Sequence, residues 1–140
     1  ATHSVKGMNK FYNDRGLVLT PVNSSDFAQD GFLSSKEIKD LKLSNKPVVL
    51  LTACNTIEEQ FYLSLPYSGL AESFMEAGSS AILLSLWNVD SKSSSLINQG
   101  IFTQDDIFFK DSIRDSILSL KSSNEFSHPY YWAPYIYLGK

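Results

Sequence analysis

Pro47-Val48-Val49-Leu50-Leu51-Thr52-Ala53-Cys54 decides how the chain folds. Its apolar residues run on without polar alternation, the pattern of a strand covered on both faces in a parallel sheet. Cys54 then stands at the carboxyl end of that strand. A second run of the same kind, Ala81 to Trp87, follows a segment from Tyr67 to Ala77 in which Leu70, Ala71, Phe74, Met75 and Ala77 fall at helical spacing. Gly78 supplies the helix stop. Upstream, Ser34 with Glu37 three positions later forms a capping-box pattern that opens a short helix, Ser35 to Leu41. Leu17 to Thr20 reads as a short strand before Pro21, and Ala1 to His3 as the tail of another. Downstream, Asp90 or Ser91 caps a helix reaching about Phe102. Ile113, Ile117 and Leu120 mark another from about Asp111 to Lys121, and Tyr131 to Leu138 reads as a closing aromatic strand. Strand alternating with helix predicts an α/β layered fold with a mostly parallel sheet flanked by helices.

The 140 residues suffice for one domain and no more. Apolar residues at 43% against charged residues at 19% exclude disorder, since this chain can bury a core. Twelve Lys and Arg against fifteen Asp and Glu leave a net charge of -3 with no basic block, so direct nucleic-acid binding is not expected. The longest strictly apolar runs are far short of a membrane span, and no membrane partner is expected. A single cysteine, Cys54, forms neither an internal disulfide nor a cysteine-rich zinc site, which fits a reducing compartment and a cytoplasmic location. No cofactor and no metal is expected.

In an open parallel sheet, catalytic groups gather at the carboxyl ends of the strands. A strand ending at His3 beside the strand ending at Cys54 would bring imidazole and thiol to one end of the sheet, within about 4.8 Å of strand spacing. The imidazole would then take the thiol proton and raise the reactive thiolate fraction. The alternative is an inert buried thiol, since free cysteine often packs as a small hydrophobe.

Three other groups read as structural. His128 precedes Pro129, which forces an extended backbone and suits a strand entrance. Asp26, Asp30, Gly31 and Glu37 fall on EF-hand positions, but Ala28 replaces a ligand and the segment before them reads as strand, so a turn and a capped helix explain them. Asp105-Asp106 lacks a nearby histidine or further carboxylate and reads as a solvated turn.

Several stretches, in order, resemble one family. Ala1-Thr2-His3-Ser4 is similar to an Ala-Thr-His-Gly histidine motif, and Asp30-Gly31-Phe32-Leu33-Ser34 with Glu37-Ile38 to an Asp-Gly-x-Leu-Thr-x-x-Glu-Ile stretch. Leu50-Leu51-Thr52-Ala53-Cys54-Asn55-Thr56 is similar to a Leu-Ser-Ala-Cys-Asn-Thr nucleophile motif. Gly69-Leu70-Ala71 with Phe74 and Ala77-Gly78, then Ser85 to Asp90, then His128 to Pro134, complete the pattern. The family these stretches resemble is the CHAT domain, a caspase-like and separase-like cysteine peptidase domain often attached to tetratricopeptide repeats.

That resemblance implies a cysteine endopeptidase with a caspase-like fold, of which residues 1–140 are the carboxyl-terminal part, the amino-terminal strands being missing. It implies His3 as general base, Cys54 as nucleophile, and the backbone N–H groups of Ser4 and Cys54 as oxyanion donors. It further implies a polypeptide substrate and an attached or partner tetratricopeptide-repeat module. The chain departs from the pattern at Ser4, where glycine is usual, and at Ser91, where a second acid often follows Asp90. Asp90 and Ser91 are thus the expected substrate-binding pair, with one carboxylate between them. A catalytically silent scaffold and another Cys-His acyl-transfer enzyme, such as an amidase, are the competing functions, because fold alone does not choose among them.

Overall fold

The computed structural model of the chain describes residues 3–6, 15–19, 31–52, 69–103 and 109–139. Two three-stranded sheets organise them. In the first, β1 (His3–Lys6), β2 (Arg15–Val18) and β3 (Phe32–Ser34) pair antiparallel in chain order. In the second, β4 (Val48–Leu51) pairs parallel with β5 (Ala81–Ser85), which pairs antiparallel with β6 (Tyr135–Gly139). The helices are α1 (Ser35–Asp40), α2 (Leu70–Glu76), α3 (Ser91–Thr103), α4 (Phe109–Lys121) and α5 (Pro129–Trp132). The class is α/β, and the parallel pairing among the described residues is that of β4 with β5.

The two apolar runs behave as their composition requires. Every residue of β5 is buried, because helices cover both faces of the second sheet. Side chains alternate across a strand, so Val49, Leu51, Ile82, Leu84, Ile136 and Leu138 point to one face, where Ile38 of α1 and Leu70 and Phe74 of α2 meet them. Leu50, Leu83, Tyr135 and Tyr137 point to the other, against Ile97 and Ile101 of α3 and Ile113 and Leu120 of α4. Leu17 of β2 and Leu33 of β3 pack on the first of these clusters, which ties the antiparallel sheet to the α1 and α2 side.

Local chemistry sets the element ends. Ser34 and Glu37 form the complete capping box: the Glu37 N–H donates to Ser34 Oγ at 3.2 Å, and the Ser34 N–H donates back to Glu37 Oε2 at 2.8 Å. Glu37 is the last EF-hand-like position, and the cap commits its carboxylate; Asp26 and Asp30 lie outside the described residues. Gly78 ends the turn after α2 at φ 110°, a conformation that favours glycine, and a Cβ there would also sit tightly, 3.1 Å from the Leu43 carbonyl oxygen.

Two expectations need correction. Among the described residues the strand carrying His3 does not lie beside the strand leading to Cys54; it pairs with β2, His3 opposite Val18 and Ser4 opposite Leu17. Few residues separate β1 from β2, and a short antiparallel return closes at lower entropic cost than a parallel neighbour reached across a long crossover. The closing strand starts at Tyr135 rather than Tyr131, because residues 129–132 form α5. His128 caps that helix and Pro129 occupies its first turn, where a missing N–H costs nothing. His128 is structural, as expected, but it opens a helix.

Candidate active site

The carboxyl ends of β4 and β5 lie side by side, since their pairing is parallel and in register from Val48 opposite Ala81 to Leu51 opposite Leu84. Beyond them lie Thr52 on one strand and Leu86 to Asp90 on the other. Tyr135 opens β6 opposite Ser85, so the start of β6 and the α5 turn reach the same end of the sheet. Antiparallel pairing is what brings them there.

The segment from β5 to α3 is held at several points. The Leu86 N–H donates to the Pro134 carbonyl at 2.9 Å. Trp87 Nε1 donates to the Tyr130 carbonyl at 3.1 Å, and the Tyr130 hydroxyl donates back to the Asn88 carbonyl at 2.9 Å. These two bonds clasp α5 to the segment. Next, Asp90 ends it as the cap of α3: its Oδ1 accepts from the Ser93 N–H at 2.9 Å and its carbonyl from the Ser94 N–H at 2.9 Å. The sequence-based choice between Asp90 and Ser91 as the cap is thereby resolved. Ser91 is exposed in the first turn of α3.

Burial raises the pKa of the Tyr135 phenol above the ordinary tyrosine value; the Ser94 side chain lowers it in part, and the Asp90 carboxylate adds to the rise. Among the described residues no hydrogen bond of good geometry reaches that hydroxyl, which is buried. Tyr135 is thus a neutral phenol around neutrality. On α3, four residues beyond Ser94, Asn98 Nδ2 donates to Thr52 Oγ1 at 3.3 Å across 46 residues of sequence, while Asn98 Oδ1 is buried with no partner among the described residues.

Of the residues named from sequence, the structure brings Asp90 and Ser91 to this end of the sheet. His3 and Ser4 sit in β1 of the other sheet. Cys54, expected as nucleophile and as an oxyanion donor, lies outside the described residues, three positions past the end of β4. Among the described residues no group of three or more His, Cys, Asp or Glu side chains is placed to hold a metal ion, and no helix is long and apolar enough to cross a membrane. Sequence reading quoted Thr52 within the cysteine motif and Tyr135 within the closing strand without giving either a role, and did not name Asn98. Its one available signal was a lone amide one position from the core residue Ile97.

No curated protein sequence matches the chain. A family model described as "CHAT domain" matches residues 1–140, the full length on which the histidine, capping-box, cysteine and Trp-Asn-Val-Asp stretches fall in order. By that match the chain belongs to the CHAT domain family, a family related to caspase-like peptidases.

Proposed function

We propose that the chain carries the catalytic groups of a cysteine endopeptidase, with His3 as general base and Cys54 as nucleophile. The observation that carries the reading is the full-length family match, coupled with histidine and cysteine at their motif positions. In this reading His3 accepts the thiol proton of Cys54, and the sulfur adds to the carbonyl carbon of the scissile peptide. The backbone N–H groups of Ser4 and Cys54 stabilise the resulting oxyanion. Collapse of the tetrahedral intermediate breaks the C–N bond, the imidazolium protonates the leaving amine, and a thioester remains. Water, deprotonated by the same imidazole, then hydrolyses that thioester to the free carboxylic acid and the thiol.

The β5–α3 segment would flank the substrate. Asp90 supplies one carboxylate there, already accepting from the Ser93 N–H, and Ser91 adds a hydroxyl rather than a second charge. A basic side chain before the cleaved bond would therefore meet one acid. We further propose control by a tetratricopeptide-repeat module.

The test is labelling of the full-length protein with a peptidyl acyl electrophile, alongside cleavage of a peptide library. Labelling is expected at Cys54, with loss in Cys54→Ala and a fall of about 10²-fold or more in His3→Ala. A protein that stays unlabelled with and without its repeat module is a silent scaffold. Turnover of small amides without peptides would instead make it an amidase.

A further inference from the structure

We propose that His128 is a pH-sensitive latch on the segment from β5 to α3, closed while its imidazole is neutral and released when the ring becomes charged. The latch works through Tyr130, all three of whose polar groups are committed. Its N–H donates to His128 Nδ1 at 3.2 Å, its carbonyl accepts from Trp87 Nε1 at 3.1 Å, and its hydroxyl donates to the Asn88 carbonyl at 2.9 Å. A ring nitrogen that accepts carries no proton, so the first bond requires the neutral imidazole protonated at Nε2. In the charged ring both nitrogens are donors, and Nδ1–H would face the Tyr130 N–H, donor against donor. The ring must then turn away, which loosens the α5 turn and with it the two bonds by which Tyr130 clasps Trp87 and Asn88. His128 is exposed, so the proton comes directly from solvent.

The charged groups of the elements packed against this turn are engaged elsewhere. Lys121 of α4 lies 5.1 Å over the Trp132 ring. Lys92 of α3 lies 5.4 Å over the Phe126 ring and pairs with Glu125 at 2.6 Å, while Asp90 caps α3 through the Ser93 N–H. The phenols of Tyr130 and Tyr131 complete the titratable groups of the turn itself. Carboxylates, phenols and ammonium groups as classes change charge outside the range from about pH 5.5 to about pH 8, and imidazoles change within it. His3, the other imidazole of the chain, lies in β1 of the first sheet. The latch does not depend on the peptidase reading.

The test is hydrogen–deuterium exchange of the full-length protein at about pH 5.5 and about pH 8, read by mass spectrometry on peptides covering residues 86–90 and 128–133 and corrected for the intrinsic rate at each pH. The reporters are the Leu86 N–H, bonded to the Pro134 carbonyl, and the Tyr131 and Ala133 N–H groups, bonded to the His128 and Pro129 carbonyls. In the parent, protection of both stretches is expected to fall about fivefold from the higher pH to the lower, the scale of losing one cap. His128→Asn, whose amide oxygen accepts at either pH, should stay protected at both, and His128→Ala should be loose at both. A fall of less than about twofold in the parent, or one that persists in His128→Asn, overturns the latch. So does a fall at 128–133 without one at 86–90, which would confine His128 to its own turn. If His128→Ala does not fold, the parent and His128→Asn decide between them.

Discussion

Both faces of the second sheet carry buried serines, and the faces differ in how their buried polar atoms are partnered. On the α1 and α2 face Ile38, Leu51, Leu70, Phe74, Ala77, Ile82 and Leu84 form the apolar cluster, and buried Ser34, Ser35, Ser73 and Ser79 lie in or beside its helices, Ser34 in the capping box and Ser73 donating to the Gly69 carbonyl. On the α3 and α4 face, buried Ser93, Ser94, Ser112 and Ser116 and the small Gly100 lie among the isoleucines, and Asn98 Oδ1 and the Tyr135 hydroxyl are buried with no hydrogen-bond partner among the described residues. The second face lets two helices approach closely and leaves polar groups near the strand ends. One face mainly holds the fold, and the other connects it to the candidate site.

The largest expected effect tests the apolar cluster of the α1 and α2 face. Ile82→Ala removes a fully buried side chain from the central strand and should cost about 2–5 kcal/mol in denaturant unfolding, with Phe74→Ala similar or larger. An equal loss in Ser73→Ala, whose hydroxyl donates to the Gly69 carbonyl, would show that hydroxyls hold this face as firmly as hydrocarbon. Next comes the close approach of α3 and α4. A Cβ at Gly100 would collide with Ser116 Oγ and come within 3.0 Å of Ser116 Cβ, and that hydroxyl is held by its 2.7 Å bond to the Ser112 carbonyl. Gly100→Ala should therefore destabilise by about 1–3 kcal/mol despite the better helix propensity of alanine. Adding Ser116→Gly should recover much of the loss in the same unfolding assay, whereas full stability in Gly100→Ala alone would mean the helices part easily.

A smaller effect is expected at the start of α3. Asp90→Ala removes the cap and should cost about 0.5–2 kcal/mol, while Asp90→Asn keeps an acceptor for the Ser93 N–H and should cost less. Both changes remove the charge that raises the Tyr135 pKa, so both should lower it in an ultraviolet titration. The smallest effect is at Tyr135 itself. Because the folded-state pKa is raised, its contribution is fully present below about pH 10 and is lost as pH climbs from there through the folded value. Tyr135→Phe should leave stability near neutrality almost unchanged and flatten the decline on the alkaline side. A slope identical to that of the parent would show that another group drives the decline.

Local signals were legible in the sequence wherever a few neighbouring residues settle the outcome. Ser34 with Glu37 announces a cap because both halves of the reciprocal bond are three residues apart. Val48 to Leu51 and Ala81 to Ser85 announce covered strands because apolar residues occupy both faces. The partner of β1 was not legible, since pairing depends on connection length and on which edge is open, and neither shows in the residues of the strand. The α5 turn was hidden by its own composition: Tyr130, Tyr131 and Trp132 favour strands, but the His128 cap and Pro129 outweigh that preference. Asp90 and Ser91 could be named because they begin a helix after an apolar run. The Asn98 to Thr52 bond spans 46 residues and has no local signature.

The order in which the second sheet is strung has a consequence for synthesis. β5 takes its parallel partner from earlier in the chain and its antiparallel partner from residues 135–139, so its second ladder waits until the ribosome has released that segment. A nascent chain arrested before Tyr135 would carry β5 with a bare flank of unpaired N–H and C=O groups. Until residues 135–139 emerge, the nascent polypeptide would be a target for chaperones and for proteases.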